Sequence, residues 1–516
     1  MKKNKKTLII VSIAAVALIG IMLLLIFLPK GGDNNDGTAT YDEGIAMSTS
    51  VDENGVHQVD IKTDKNGKIE NNSYGTLMEY VPAEIKSMHI ENESGSFDVT
   101  SYTPVNDKGE TDATVYTLVG FEDFELQAGN PDLIANALAK LDFSQVLTLE
   151  AKKGKDYGFD SPRATATVTY TDDTKAIIIV GDDAPQGAGT YVKFGDGDAV
   201  YLVNADVVKP LLYGANDLIS RKINDTVSDS ANTQASLITI TGSAFDKDIE
   251  LKLNDGGKNS ATYVMTKPSQ VYANENESSL VAGALRGLQA TAVKMVNPSD
   301  SQLEKLGLKT PYAKVKAVFP DTTVELSASK TDADGNVYLM VKGVDVVYQI
   351  ASTTVTWATT SYEKLVSEYV LNPKMIALST MSVNDGSNTY DFKLSSKEVT
   401  TTDDEGNETT STTTTVQCNG KEIETAYFDI FYQNVTYTQL AEVKSASASG
   451  NPVFSVKYTY SADGSTETVN FYSTGDSRYI AEVNGVVVGT VYKANINKLA
   501  KQVSQVANNK QVDAIL

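Results

Sequence analysis

The chain has 516 residues, a formal net charge of −22, and 41% apolar against 21% charged residues. This is globular composition on a chain long enough for several domains. A surface so acidic repels phosphate backbones and no Lys/Arg cluster beyond the N-terminus offsets it, which weighs against nucleic-acid binding. The single cysteine, Cys418, excludes an intrachain disulfide.

The N-terminus opens with Lys2, Lys3, Lys5 and Lys6, followed by 21 uncharged residues from Leu8 to Leu28. As a helix these span roughly 30 Å, the thickness of a bilayer core. The spacing predicts a transmembrane helix over 7–28, with a cytoplasmic tail over 1–6. The four lysines set the orientation and leave the C-terminal bulk extracellular. A cleaved signal peptide would have a shorter apolar run ending in small residues, whereas this one ends in "LLLIFLPK". No cysteine follows to carry a lipid. Residues 29–76 read as a flexible spacer, "GGDNNDGTAT", and extra strands over roughly 44–75.

Beyond the spacer one pattern is written three times. "NPDLIANALAKL" has Asn130 as a helix N-cap and Pro131 at the first helical position. Its apolar face is Leu133, Ile134, Ala137, Leu138 and Leu141; the same register holds Leu280, Val281, Ala284, Leu285 and Leu288, and then Tyr427, Phe428, Phe431, Tyr432 and Val435. Successive stripes lie 147 residues apart. Hairpin text precedes each helix ("IKSMHIENESGSFDVTSY", "SLITITGSAFDKDIELKL", "IALSTMSVNDGSNTYDFKL"), and strands joined by turns such as "GDGD", "KGVD" and "VNGV" follow it. Each unit closes on helical text, with Leu218–Ile219 and Leu365–Val366 again 147 apart.

These readings predict an α+β chain: an anchor, then three tandem related modules over 77–222, 223–372 and 373–516, each mostly antiparallel β-sheet with two helices. The third diverges and carries a threonine-rich hairpin over 396–417. Gly158 with Pro162, and Gly307 with Pro311, recur where a helix stops and a strand begins, and read as structural.

A search for chemistry yields little. The two histidines are His57, in hydrophilic strand text and expected to be exposed, and His89, on a strand surface. The loops 62–73 and 330–342 place Asp64, Asn66 and Gly67, and Asp332, Asp334 and Gly335, as calcium loops do. Each begins with a lysine and lacks the final bidentate glutamate, so both read as tight turns. The acidic pairs Asp172/Asp173, Asp182/Asp183 and Asp403/Asp404 sit in turn text. The 26 tyrosines, among them Tyr191, Tyr201, Tyr338 and Tyr348, follow the strand text, and Trp357 reads as core. No catalytic, cofactor-binding or metal-binding residue is assigned.

The anchor and the repeated "LGLKTP", alternating strand, "VYLMV", "VVYQI" and closing helix resemble the bacterial domain of unknown function numbered 4340. The resemblance is best over 306–370 and also covers the first module. It implies a membrane-tethered extracytoplasmic partner of gliding-motility-type ABC transporters and their auxiliary subunits, with no catalytic residues to carry over. The expected function is a non-enzymatic accessory or scaffold. The alternatives are a surface protein that binds cell-wall glycan or peptide, and a carboxylate-based envelope hydrolase.

Overall fold

A computed structural model describes residues 44–515 apart from 71, 152–156, 228, 231–232, 403–407 and 444–446. The predicted anchor lies outside these residues; among those described, no helix is long and apolar enough to cross a membrane.

The described chain is β-rich and antiparallel. A hairpin of β1 (Met47–Val51) and β2 (His57–Ile61) comes first. The first large sheet is built from β3 (Gly75–Glu79), β4 (Ile85–Asn92), β5 (Gly95–Tyr102), β6 (Val115–Leu118), β7 (Lys140–Thr148), β8 (Ala164–Tyr170), β9 (Lys175–Asp183), β10 (Thr190–Phe194) and β11 (Val200–Val203). Its order is β6-β5-β4-β8-β9-β10-β11-β7-β3. The second contains β12 (Leu237–Thr241), β13 (Ile249–Leu253), β14 (Tyr263–Lys267), β15 (Val271–Tyr272), β16 (Ala292–Val296), β17 (Ala313–Val318), β18 (Thr323–Ala328), β19 (Asn336–Val341) and β20 (Val346–Ala351). Its order is β15-β14-β13-β12-β17-β18-β19-β20-β16. The third contains β21 (Leu378–Asn384), β22 (Thr389–Thr402), β23 (Glu408–Cys418), β24 (Lys421–Ile423), β25 (Phe454–Tyr460), β26 (Thr466–Ser473), β27 (Arg478–Val483) and β28 (Val486–Tyr492), ordered β24-β23-β22-β21-β25-β26-β27-β28.

The three orders correspond. In each, a hairpin grows outward from β4, β12 or β21. The chain then crosses by a helix, and a four-stranded meander starts beside that same strand. In the first two sheets the strand after the helix, β7 or β16, pairs with the last strand of the meander; β16 is then the edge, while β3 lies outside β7. In the third that place holds a single bridge, Glu442 to Thr490.

The four longest helices among the described residues are α1 (Asn130–Ala139), α2 (Glu275–Gly283), α3 (Thr425–Thr436) and the C-terminal α4 (Lys493–Ala507). The repeated stripe buries four of its five positions each time. Ile134, Ala137, Leu138 and Leu141 are at most 2% exposed, but Leu133 is 46% and Leu280 54% exposed. The first position therefore points outward, a correction to the five-residue face. Two further differences are local. Asn130 is the first helical residue and Gly129 precedes it in the left-handed region; the Asn130 side chain donates instead to Asp217 O at 2.7 Å. The helix α2 stops at Gly283, so Ala284, Leu285 and Leu288 are buried on non-helical chain.

Alternation sets the sheet faces. The strand β8 reads buried at every second residue, and on its buried side Tyr170 Oη donates to Leu138 O of α1 at 2.8 Å. Trp357 is wholly buried, as is Cys418 at 1% exposure. The threonine-rich segment pairs as β22 with β23 from Phe392–Cys418 to Thr402–Glu408.

Candidate functional site: the seams between sheets

The segments that join the sheets are themselves hydrogen-bonded on both sides. After the first sheet, Ser220 N donates to Glu125 O (2.8 Å) and Gln127 N to Leu218 O (2.7 Å), tying the linker to the strand-like approach of α1. Two residues on, Ala290 N donates to Arg221 O (2.8 Å) and Ile223 N to Leu288 O (3.0 Å), tying it to the chain that follows α2. After the second sheet the same four bonds recur: Ser367 N to Tyr272 O (3.0 Å), Asn274 N to Leu365 O (2.8 Å), Leu440 N to Glu368 O (2.8 Å) and Val370 N to Thr438 O (3.0 Å).

The local sequence explains this. "LISRKI" and "LVSEYV" put apolar residues at both ends of a short extended run, and Leu218, Ile219, Ile223, Leu365, Val366 and Val370 are all 7% exposed or less. Burial forces the backbone amides to find partners, and those partners lie on the approach to one helix and on the chain that follows the next. In front of the first sheet, β3 takes the equivalent place. It pairs with β7 through Met78–Leu141 and Glu79–Lys140, and Tyr80 N donates to Ala139 O at 2.8 Å.

Each seam encloses a hollow at the same position. Glu125, Ile219, Ser220, Lys222, Ile223 and Val346 line one of about 270 Å³. Tyr272, Val366, Ser367, Tyr369, Val370 and Val488 line the other, of about 90 Å³. The second seam adds polar chemistry. Glu467 accepts hydrogen bonds from Tyr460 Oη and, at 3.3 Å, from Tyr272 Oη, which belongs to the preceding sheet. Burial, with the Glu467 charge adding to it, pushes the Tyr272 phenol up. Lys258 Nζ crosses the same seam to Asp463 Oδ2 (2.9 Å) and Ser465 Oγ (2.6 Å), and lies 5.0 Å from the Tyr460 ring centre. Lys258 and then Ser465 hold the Asp463 carboxyl well below the usual carboxylate range. Asn259 Nδ2 donates to Asn372 O at 2.8 Å and Tyr432 Oη to Pro373 O at 2.6 Å, so the linker is clasped from both sides.

The residues singled out from sequence lie elsewhere. His57 is not exposed as expected. Its Nε2 lies 2.8 Å from Tyr80 Oη and 3.0 Å from Thr174 Oγ1, and its ring meets the stacked Tyr80 and Tyr170 edge-on. Thr174 Oγ1 spends its proton on Asp172 (2.6 Å), so it accepts from a protonated Nε2. The cluster docks the β1–β2 hairpin on the turn after β8. Its burial lowers the His57 pKa, with Asp172 opposing that shift. His89 is exposed and pairs with Asp98 at 2.8 Å. Asp172 serves its own turn while Asp173 pairs with Lys86 (2.7 Å); Asp183 pairs with Arg163 (2.7 Å). Asp403/Asp404 lie outside the described residues.

In the two loops that resemble calcium sites, Asp64 Oδ1 accepts the amides of Asn66 (2.8 Å) and Lys68 (2.9 Å), and Asp332 Oδ1 those of Asp334 (3.0 Å) and Asn336 (2.8 Å). These are turns closed by their own aspartates. Among the described residues no three metal-ligating side chains converge. Gly158 and Gly307 adopt φ of +80° and +71°; a Cβ on Gly158 would meet Asp182 at 2.6 Å. Pro311 is buried beside its strand and Pro162 is exposed.

The seam side chains Tyr272, Tyr460, Glu467, Lys258 and Asp463 had not been singled out. One signal was present. In "TETVNFY", Glu467 shares its alternating face with Val469 and Phe471, a charge on the core side of a strand.

No curated protein matches this chain. A family described as Domain of unknown function (DUF4340) matches it twice, over residues 117–294 and 263–442. The two stretches together cover more than half of the chain, and they start 146 residues apart. Neither coincides with one sheet. The first encloses the complete seam around 218–224, and the second that around 365–371. The chain therefore belongs to the DUF4340 family, and it carries the family's pattern in tandem.

Proposed function

We propose that this chain is a non-enzymatic, membrane-tethered extracytoplasmic scaffold built from three copies of one α+β module, serving an export-type ABC transporter of the gliding-motility kind. The observation that carries the scaffold reading is the doubly bonded linker. A segment tied by backbone bonds to the modules before and after it holds them in one relative orientation, where an ordinary linker would let them pivot. The matching strand orders support the modular reading over 77–222, 223–372 and 373–516. The four lysines ahead of Leu8–Leu28 support the tether and its orientation. The transporter partner rests on the family resemblance.

The test is gentle solubilisation of membranes bearing the full-length chain, followed by identification of what co-purifies. Recovery of a permease or auxiliary transporter subunit is the expected result. Repeated recovery of none overturns the choice of partner.

A further inference from the structure

Glu467 occupies a position that the other two sheets fill with apolar residues. The register Tyr458–Glu467 in the third sheet corresponds to Ala317–Val324 in the second and Val168–Ala176 in the first. Val324 is 8% exposed and Ala176 wholly buried. A carboxylate on the core face of a strand is costly unless something repays its desolvation. Its two partners here are neutral phenols, Tyr460 and Tyr272, and Lys258 is held by Asp463 and Ser465 instead. Glu467 opens into the seam hollow, whose walls include Val271, Val366, Val370 and Val488.

We propose that this hollow binds an alkylammonium group, its charged head on Glu467 and its methylene stem along the valines. Three acceptor atoms belong to side chains that line the head of the hollow: the two Glu467 carboxylate oxygens and the Tyr272 phenol oxygen. An ammonium has three N–H donors and no acceptor, so it satisfies that set, whereas a guanidinium would leave donors unmet. The volume of about 90 Å³ suits one short unbranched chain and is well below the roughly 300 Å³ and more of pockets for drug-sized ligands. The hollow exists only where two sheets meet, so occupancy reports that the seam is closed. The chemistry is shared by free amines and lysine side chains.

Calorimetric titration of the full-length chain in detergent decides the matter, with n-butylammonium, n-butanol and an acetyl-Gly-Lys-Gly-amide peptide as probes. Saturable butylammonium binding is expected. Butanol should bind about tenfold more weakly or worse, because it lacks the charge that strengthens the hydrogen bonds. Glu467→Gln should weaken butylammonium about tenfold or more at nearly unchanged shape. Peptide binding tighter than butylammonium assigns the site to a lysine side chain; the reverse order assigns it to a free amine. Absence of saturable binding by both amines, or equal affinity in Glu467→Gln, overturns the proposal. Should that variant fail to fold, Tyr272→Phe removes one acceptor and keeps the charge; unchanged butylammonium affinity there also overturns it.

Discussion

At the seam between the first and second sheets, Ser220 and Ile223 bond the linker to backbone on either side, and the hollow beside them is flanked by Glu125 and Lys222. At the seam between the second and third, Ser367 and Val370 make the same bonds, but Tyr272 and Glu467 line the hollow, Tyr460 donates to Glu467, and Lys258 reaches across to Asp463. The backbone ladder is common property and belongs to the architecture. The side chains differ, and at the second seam they add a polar network between sheets. Three experiments separate the two contributions, and a fourth probes a contact away from both seams.

The largest effect should come from the ladder. Ile223→Pro and Val370→Pro each remove one linking N–H, donated to Leu288 O and Thr438 O respectively. Loss of a ladder bond with the attached steric clash should cost about 3 kcal/mol or more in either seam. Urea midpoints of the two variants should fall together. A large drop at one seam alone would show that the shared bonds do unequal work.

Next comes the core-face carboxylate. Glu467→Val leaves the Tyr460 and Tyr272 hydroxyls without their acceptor and should destabilise by about 1–3 kcal/mol. Adding Tyr460→Phe reproduces the Phe319 and Val324 of the second sheet and should recover part of that loss, since it removes one of the two orphaned hydroxyls. A double variant less stable than the single one would contradict the equivalence of the two positions.

Acid should loosen the second seam through Asp463. Its folded-state pKa is depressed, so its contribution is present above the unfolded value of 3.8 and is lost as pH falls below it. The melting-temperature gap between the native chain and Lys258→Met should be small at pH 7, as befits an exposed pair, and should narrow further at pH 3. A gap that widens on acidification would reverse the assigned sign.

The smallest effect lies away from the seams, at the β1–β2 hairpin. The His57 pKa is lowered from 6.5 by burial, so the folded form favours neutral imidazole. Stability is present above about 6.5 and declines as pH falls through that value. Protection factors across His57–Ile61, corrected for the intrinsic pH dependence of amide exchange, should fall between pH 7 and pH 5 in the native chain, and His57→Gln should flatten that dependence.

Much of the scaffold was legible because it is local. Stripes of helical period and alternating hairpins depend on neighbours a few residues away, and the third hairpin could be read directly from its threonines. Leu218–Ile219 and Leu365–Val366 marked the seams by spacing, but periodicity could not show that a linker bonds Glu125 on one side and Leu288 on the other, since those partners are distant in sequence. The burial of His57 was hidden for the same reason: Tyr80, Tyr170 and Thr174 come from other strands. Leu133 and Leu280 satisfied the stripe yet face outward, because a helix lying on a sheet buries a narrower arc than five positions span. Glu467 could have been found by alternation alone.

The central claim is that the linkers lock the three sheets into one body. Spin labels at Lys86→Cys, on the first sheet, and Thr474→Cys, in the β26–β27 turn of the third, test it most directly by pulsed dipolar spectroscopy, with Cys418 shielded by burial. A single narrow distance distribution, broadened by Val370→Pro, is the predicted result. A broad distribution in the unaltered linkers would mean that the sheets pivot independently, and would contradict the account.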